Sequence, residues 1–201
     1  YGKLMKAYYA KQDAEKLSGK GDTSQKLTLM KTSADSLKKS ADALNDSSLW
    51  EKKKIKKKDE KTGEEIEVED YDWDKITKAV KSFVEDYNDV VKEAGESNTK
   101  DVLRNASWMT GMTDKNSNML AKIGITIGKG NKLELDEDAL KQADISSLKT
   151  VFTGYNSFVS KISQKATCIS NAANRASATY TNNGTYSKTD SSLTSSKIDK
   201  E

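Results

Sequence analysis

The sequence predicts a mainly α-helical protein, an elongated antiparallel helical bundle or coiled coil with two small β-hairpins. The 201-residue chain contains no proline, which suits long helices because proline interrupts the helical hydrogen-bond ladder. Apolar residues recur at alternating spacings of three and four, the pattern of a coiled-coil seam. The chain is 34% apolar and 32% charged, which indicates a thin core under a heavily charged surface, since about 25% charged residues is usual.

Three long helices are predicted at about residues 22–45, 74–94 and 155–180. Asp22 or Thr23 can cap the first helix and Asp72 the second, because short polar side chains accept hydrogen bonds from the first backbone N–H groups. The predicted buried seams are Leu27, Met30, Ala34, Leu37, Ala41 and Leu44 in the first helix, Ile76, Val80, Phe83, Tyr87, Val90 and Ala94 in the second, and Tyr155, Val159, Ile162, Ala166, Ile169, Ala173, Ala176 and Tyr180 in the third.

Shorter elements complete the predicted helical part. We expect helices at residues 1–17 and 99–110, followed by a polar loop from Thr113 to Asn118. Asp136 and Asp144 each precede a short apolar-periodic segment and are predicted to cap two further helices.

Two hairpins are predicted, near residues 51–70 and 123–135. Six lysines lie in residues 52–58, and residues 65–69 alternate glutamate with isoleucine or valine, the period of a strand. Opposite charges paired across two strands are stabilising, but an isolated hairpin is marginal, so we expect this one to pack against a helix. Residues 128–131 (Gly-Lys-Gly-Asn) tolerate positive φ and are predicted to form the turn of the second hairpin.

The predicted organisation is one elongated helical domain over residues 1–182 and a polar tail over residues 183–201. The tail consists largely of Thr, Asn, Ser, Gly and Lys, a composition that cannot bury enough apolar surface to order by itself. We therefore expect the tail to be disordered or to become ordered only with a partner. No run approaches the roughly 20 apolar residues that cross a bilayer, so no membrane span is predicted.

The composition argues against an enzyme. The chain has no histidine, the commonest general base and metal ligand, and we predict no catalytic, cofactor-binding or metal-binding residues. The single cysteine, Cys168, has no partner for an internal disulfide, and we expect it to be a small buried residue. The acidic residues 70, 72 and 74 resemble the start of a calcium loop, but Lys75 and Lys81 occupy positions that require Gly and Glu.

Nucleic-acid binding is also not expected. The net charge is only +3, and the lysine run is followed within a few residues by an acidic strand that can neutralise it. No aromatic residue lies between the lysines to stack on bases. The glycines at 128 and 130 lack the third glycine of a dinucleotide loop and the Gly-Lys-Ser/Thr of a P-loop. We predict protein partners and no nucleic acid.

Four segments resemble one family, the flagellar filament cap protein or hook-associated protein 2. Residues 76–88 end in Phe-Val-x-x-Tyr-Asn, which looks like the helix after the inserted domains of that family. Residues 120–140 are similar to its Leu-x-x-Ile-Gly-Ile and Gly-x-Leu-x-Leu-Asp block, residues 151–154 (Val-Phe-Thr-Gly) follow at the matching point, and residues 29–50 resemble its early helix.

The resemblance implies a non-enzymatic, secreted structural or assembly protein outside the cell or on its surface. Family members cap the growing filament, oligomerise as a ring and guide flagellin subunits into place. They normally carry two large β-rich domains between early and late helices, where this chain has only the hairpin near 51–70, so the resemblance is to a reduced form containing the leg region. Helix–helix contacts with further copies of itself or with flagellin-like subunits are expected. The alternative is a helical cell-surface or adhesion module unrelated to flagellar assembly.

The candidate contact residues are Ala172, Ala173, Ala176 and Tyr180. The seam of the last helix becomes rich in alanine toward its C-terminal end, so a partner helix can approach closely there. The other interpretation is internal packing, against Tyr8, Tyr9 or another helix of the same chain.

Overall fold

The computed structural model describes residues 6, 21–59 and 63–179. The predicted helix at 1–17, apart from Lys6, and the predicted tail at 183–201 lie outside these residues. Within them the fold is mainly α-helical with two small antiparallel two-stranded sheets, as the sequence predicts.

The elements follow one another in a simple order. The helices are α1 (Ser24–Asn45), α2 (Trp73–Gly95), α3 (Lys100–Lys115), α4 (Ser117–Ala121), α5 (Glu137–Gln142), α6 (Ile145–Phe152) and α7 (Phe158–Thr179). A 3-10 turn (Ser47–Trp50) follows α1 and another (Lys129–Asn131) joins the second pair of strands. The strands are β1 (Lys53–Lys58), β2 (Glu65–Asp70), β3 (Ile125–Ile127) and β4 (Leu133–Leu135).

Helix α1 packs between α2 and α7 and runs antiparallel to both. Ser170 of α7 donates to Asp35 and Ser163 donates to Asp42, so the residue numbers rise on one helix as they fall on the other. At the start of α1, Lys26 donates to the carbonyl oxygen at the end of α2. The antiparallel packing of the long helices follows the prediction.

The predicted seams of α1 and α2 are buried throughout. All six positions in each helix are at most 2% exposed. Each fully buried Leu, Ile, Val or Phe side chain contributes roughly 1.5–3 kcal/mol, so these seams supply much of the driving force for folding. In α7, Val159, Ile162, Ala166, Ile169 and Ala173 are buried as predicted.

Trp50 closes the end of α1. Its indole is fully buried, its Nε1 donates to the carbonyl oxygen of Leu44 at 2.8 Å, and its ring stacks on Phe152 with centroids 5.3 Å apart. A buried indole needs a partner for its N–H, and an unpaired carbonyl at the helix end supplies it. The contact with Phe152 ties α1 to α6.

Asp22 caps a helix distant from it in sequence. Thr23 caps α1 by accepting from the amide of Lys26, and Asp22 instead lies at the start of α3. Its buried carboxylate accepts from the amides of Asn98 and Thr99 and from the hydroxyls of Ser97 and Thr99, at 2.6–3.0 Å. Negative charge is favourable at a helix N-terminus, so Asp22 holds the α2–α3 connection against α1.

The Tyr-Asn pair near the end of α2 anchors two other elements. The hydroxyl of Tyr87 donates to Thr113 on α3 at 2.9 Å, and burial raises the pKa of this phenol, despite the hydrogen bond. Asn88 donates to the carbonyl of Leu133 and accepts from its amide. The Asn88 side chain thus pairs with β4 as a neighbouring strand would, and it fixes the second hairpin to α2.

The second hairpin and its flanking helices form as predicted. In its turn, Gly130 and Asn131 have φ values of 76° and 62°, the conformation that Gly and Asn adopt most readily. Asp136 caps α5 by accepting from two amides, and Asp144 caps α6 by accepting from Ser147. Asp72 caps α2 in the same way.

Two predicted boundaries are wrong. The loop expected from Thr113 to Asn118 is helical, because α3 continues to Lys115 and α4 begins at Ser117. Thr113 is buried there and bonds to Tyr87, so tertiary contacts extend a helix that local polarity does not favour. Helix α7 begins at Phe158, and Tyr155, predicted to be part of its seam, is 82% exposed in the preceding turn.

The first hairpin pairs as predicted but packs less. Lys53, Lys54, Lys56 and Lys58 lie opposite an acidic residue each in the antiparallel register. None of the twelve residues of β1 and β2 is buried, so among the described residues this hairpin packs against a helix less than expected. The cross-strand charges, rather than a shared core, stabilise it.

Candidate protein-contact surfaces

The predicted contact residues at the end of α7 mostly face the inside of the chain. Ala172 and Ala173 are buried, and Ala176 is half-buried against the same core. Tyr180 lies outside the described residues. The antiparallel register places this part of α7 beside the first half of α1, so the small side chains allow close packing within the chain. Contact of Ala176 and Tyr180 with a partner stays a prediction.

A repeated polar contact joins α1 to α7. Lys31 and Asp35 form an ion pair within α1, and Ser170 donates to the same carboxylate at 2.6 Å. Seven residues later Lys38 and Asp42 repeat the pair. Ser163, seven residues earlier on α7, donates to Asp42 at 2.6 Å. This lysine–aspartate–serine repeat specifies the register of the two helices, because a slip of one residue separates both serines from their acceptors.

The charges of these aspartates are maintained by their partners. Partial burial opposes ionisation of Asp35, but hydrogen bonds from Lys31 and Ser170 and the charges of Lys31 and Lys38 outweigh it and lower its pKa. For Asp42, burial is likewise outweighed, by hydrogen bonds from Lys38 and Ser163 and by the Lys38 charge, so its pKa is also lowered.

A tryptophan lies exposed where α3 meets α7. Trp108 is 45% exposed, and the Nζ of Lys165 lies 4.4 Å from its ring centroid, a cation–π distance. Near the end of α7, Arg175 lies 3.8 Å from Asp101 of α3, which also pairs with Arg104. Aromatic and arginine side chains are the types most enriched at protein interfaces.

Cys168 lies on the exposed side of α7, so its predicted burial is wrong. Cys168 is not one of the buried seam positions Ile162, Ala166 and Ile169. The small size of a cysteine side chain therefore did not determine whether it faces the core. We name the strip formed by Asp101, Arg104, Trp108, Lys165, Cys168 and Arg175 the α3–α7 edge.

The hairpin of β1 and β2 has two unlike faces. Lys54, Lys56 and Lys58 lie opposite Glu69, Glu67 and Glu65 on one face. The other face carries the pairs Ile55–Val68 and Lys57–Ile66, and Ile66 is 40% exposed. Side chains alternate between the faces of a strand, so the alternating sequence produces one charged face and one partly apolar face.

A groove of about 380 Å³ lies between α1 and α2. Its lining includes Lys39, Lys75, Lys78, Ala79 and Asp86. Burial raises the pKa of Asp86, and the negative charges of Asp89 and Glu85 add to this effect, while the hydroxyl of Ser40 opposes it.

No metal-binding cluster accompanies these surfaces in the described residues. Within residues 21–59 and 63–179 there is no group of three His, Cys, Asp or Glu placed to hold a metal ion. Two of the acidic residues that resemble a calcium loop have structural partners, since Asp70 accepts from the amide of Tyr71 and pairs with Lys57, and Asp72 caps α2. None of the helices in this part of the chain is long and apolar enough for a bilayer span.

A comparison with family models decides the relationship. The model described as "Flagellar hook-associated protein 2 C-terminus" matches residues 97–200. The chain belongs to the flagellar hook-associated protein 2 family. Searches of curated proteins and of solved structures find no match.

The hook-associated protein 2 match divides the surfaces into two groups. Helices α3 to α7 and the whole α3–α7 edge lie inside the matched segment, whereas α1, α2 and the first hairpin precede it. Sequence reasoning missed Trp108 as a surface residue. Its position was informative, because a residue two positions after the buried Ala106 lies on nearly the opposite side of the helix.

Proposed function

We propose that this protein is a non-enzymatic structural component of the bacterial flagellum that acts outside the cell in filament capping or assembly. The family match over residues 97–200 is the observation that carries the proposal. A body of packed helices with buried seams and charged outer surfaces suits protein contacts rather than chemistry. Its partners are filament subunits or further copies of itself.

We further propose that the α3–α7 edge is the surface that contacts the filament. It lies in the matched segment and presents a half-exposed tryptophan beside Lys165, and on the same two helices Arg104 and Arg175 pair with Asp101. Trp and Arg are residue types enriched among energetic hot spots. The edge runs toward the C-terminal end of α7, so the partner contact predicted for Ala176 and Tyr180 is part of the same proposal.

Deleting the gene in a strain that encodes the protein tests the function. The proposal expects short or absent filaments and flagellin released into the medium, because subunits are exported but not incorporated. Complementation with the intact gene restores filaments. Filaments of normal length and no released flagellin in the deletion strain contradict the proposal.

Complementation with Trp108→Ala tests the surface. We expect reduced filament length with Trp108→Ala and normal length with Lys141→Ala, which changes an exposed residue of α5. Circular dichroism and the urea midpoint of the purified variants separate a lost contact from a lost fold. Normal filaments with Trp108→Ala argue against this edge as the contact surface.

A further inference from the structure

Within residues 21–59 and 63–179, no further strand pairs with either edge of the first hairpin. In the part of the chain that the structure describes, β1 and β2 form a sheet of two strands, and no residue in either strand is buried. Each strand of such a sheet has backbone N–H and C=O groups on its outer side, which template the addition of another strand. The hairpin therefore presents two edges at which a further strand can pair.

The two edges carry opposite charge. β1 has the sequence Lys-Lys-Ile-Lys-Lys-Lys and β2 has Glu-Ile-Glu-Val-Glu-Asp. Charged residues normally protect an edge from pairing, but this protection works only against neutral or like-charged strands. In this chain, the strand that complements each edge is the other strand of the same hairpin.

We propose that a second copy of this chain pairs its β1 edge with the β2 edge of the first, so that copies associate head to tail through a continuous antiparallel sheet. Copies related by translation across the sheet place β2 antiparallel to the next β1, as within one hairpin. The alternative two-fold pairings, β1 with β1 or β2 with β2, place like charges opposite one another, which is destabilising.

The apolar face strengthens the head-to-tail arrangement. If the register between copies repeats the one inside the hairpin, the half-exposed Ile55 and Val68 continue as an apolar row from copy to copy. Ile66, 40% exposed in the single chain, is covered by the stem of the neighbouring Lys57. A head-to-tail contact is heterologous, so it generates a ring or an open filament rather than a closed dimer.

The hydrogen-bond pattern tells which backbone groups face outward. The amide of Asp59 donates to the carbonyl of Glu64 at 2.9 Å, so this pair is a hydrogen-bonded one. Such pairs alternate with non-hydrogen-bonded pairs in an antiparallel ladder. The pair of Lys56 and Glu67 is therefore of the second kind, and the N–H groups of both residues point to the outer edges. Proline is tolerated in a strand at such positions.

Two proline variants of the full chain test the proposal. Lys56→Pro blocks the β1 edge and Glu67→Pro blocks the β2 edge. We expect the unmodified chain to increase in mass with concentration in sedimentation velocity at low salt, and to return to a monomer at about 1 M NaCl, where the screening length is roughly 3 Å. Each proline variant alone should remain monomeric, and Lys56→Ala, which keeps the backbone donor, should still associate.

Mixing the two proline variants decides the geometry. Each variant retains the edge that the other has lost, so an equimolar mixture should form a dimer and nothing larger. A dimer in the mixture also shows that both variant hairpins are folded. A monomeric unmodified chain at every concentration, association of Lys56→Pro like that of the unmodified chain, or a mixture that stays monomeric overturns the proposal. The test uses purified protein alone and does not depend on the flagellar role.

Discussion

Replacing Asp22 with alanine should destabilise the protein more than the loss of an ordinary helix cap. The carboxylate accepts from the amides of Asn98 and Thr99 and from two hydroxyls, and Asp22 is only 5% exposed. A hydrogen bond to a charged group contributes roughly 1.5–3 kcal/mol, and an orphaned buried donor costs roughly 1–3 kcal/mol. These terms are not additive, so we expect a loss of about 3–4 kcal/mol.

Urea unfolding with linear extrapolation measures this loss. The midpoint should fall while the slope stays unchanged, and the melting temperature should fall by roughly 6–16 °C, since about 2–4 °C per kcal/mol is typical at this chain length. Asp144→Ala is the matched control, because Asp144 caps only its own helix through one bond from Ser147 at 3.2 Å. That change should cost about 1 kcal/mol.

The losses of stability in the Asp22→Ala and Asp144→Ala variants are compared to test this reasoning. An Asp22→Ala loss no larger than that of Asp144→Ala means that the carboxylate does not hold the α2–α3 connection. Combining Asp22→Ala with Ser97→Ala should cost less than the sum of the single changes, because the hydroxyl of Ser97 donates to this carboxylate. Strict additivity contradicts the shared contact.

Three further changes test other parts of the fold. Trp50→Phe should cost about 2–3 kcal/mol in urea unfolding, because it removes the bond to the Leu44 carbonyl and leaves a small cavity. An unchanged midpoint argues against a stabilising role of Trp50 at the end of α1. Asp86→Asn should raise stability at pH 7, because the raised pKa of Asp86 means that its ionisation is penalised in the folded state. The gain should vanish below pH 3.8, where the carboxyl is protonated in both the folded and the unfolded state. A gain independent of pH contradicts this reasoning. Ser163→Ala should cost about 1 kcal/mol of stability at pH 7. The lowered pKa of Asp42 gives stability that is lost as the pH falls below 3.8, so the cost of the substitution should shrink in acid. A cost that persists in acid argues against the hydrogen bond from Ser163 to the Asp42 carboxylate.

The sequence predicted the long helices well because their seams carry a strong periodic signal. Every predicted seam residue of α1 and α2 is buried, and the caps at Asp72, Asp136 and Asp144 act as expected. Local chemistry specifies these features. The pairing of the basic and acidic strands in the first hairpin was equally predictable, because the two charged segments lie close together in the sequence.

Features that depend on contacts between distant segments were not predictable. The helical conformation near Thr113 depends on Tyr87, and the role of Asp22 depends on a loop more than 70 residues away. The candidate surface shows the same limit. Ala172 and Ala173 were recognised as close-packing residues, but the sequence does not tell whether the partner helix belongs to the same chain. The exposure of Trp108 was predictable only from its position on α3 relative to the buried residues of that helix.

Photo-cross-linking from position 108 in flagellated cells tests the central claim most directly, namely that the outer surface of this helical body contacts the filament. A photoreactive phenylalanine analogue replaces Trp108, and the same analogue at Lys141 serves as the control. The account predicts adducts with flagellin or with another copy of the chain from position 108 and none from position 141. Abundant exported protein that forms no adduct from position 108, or equal adducts from both positions, contradicts it.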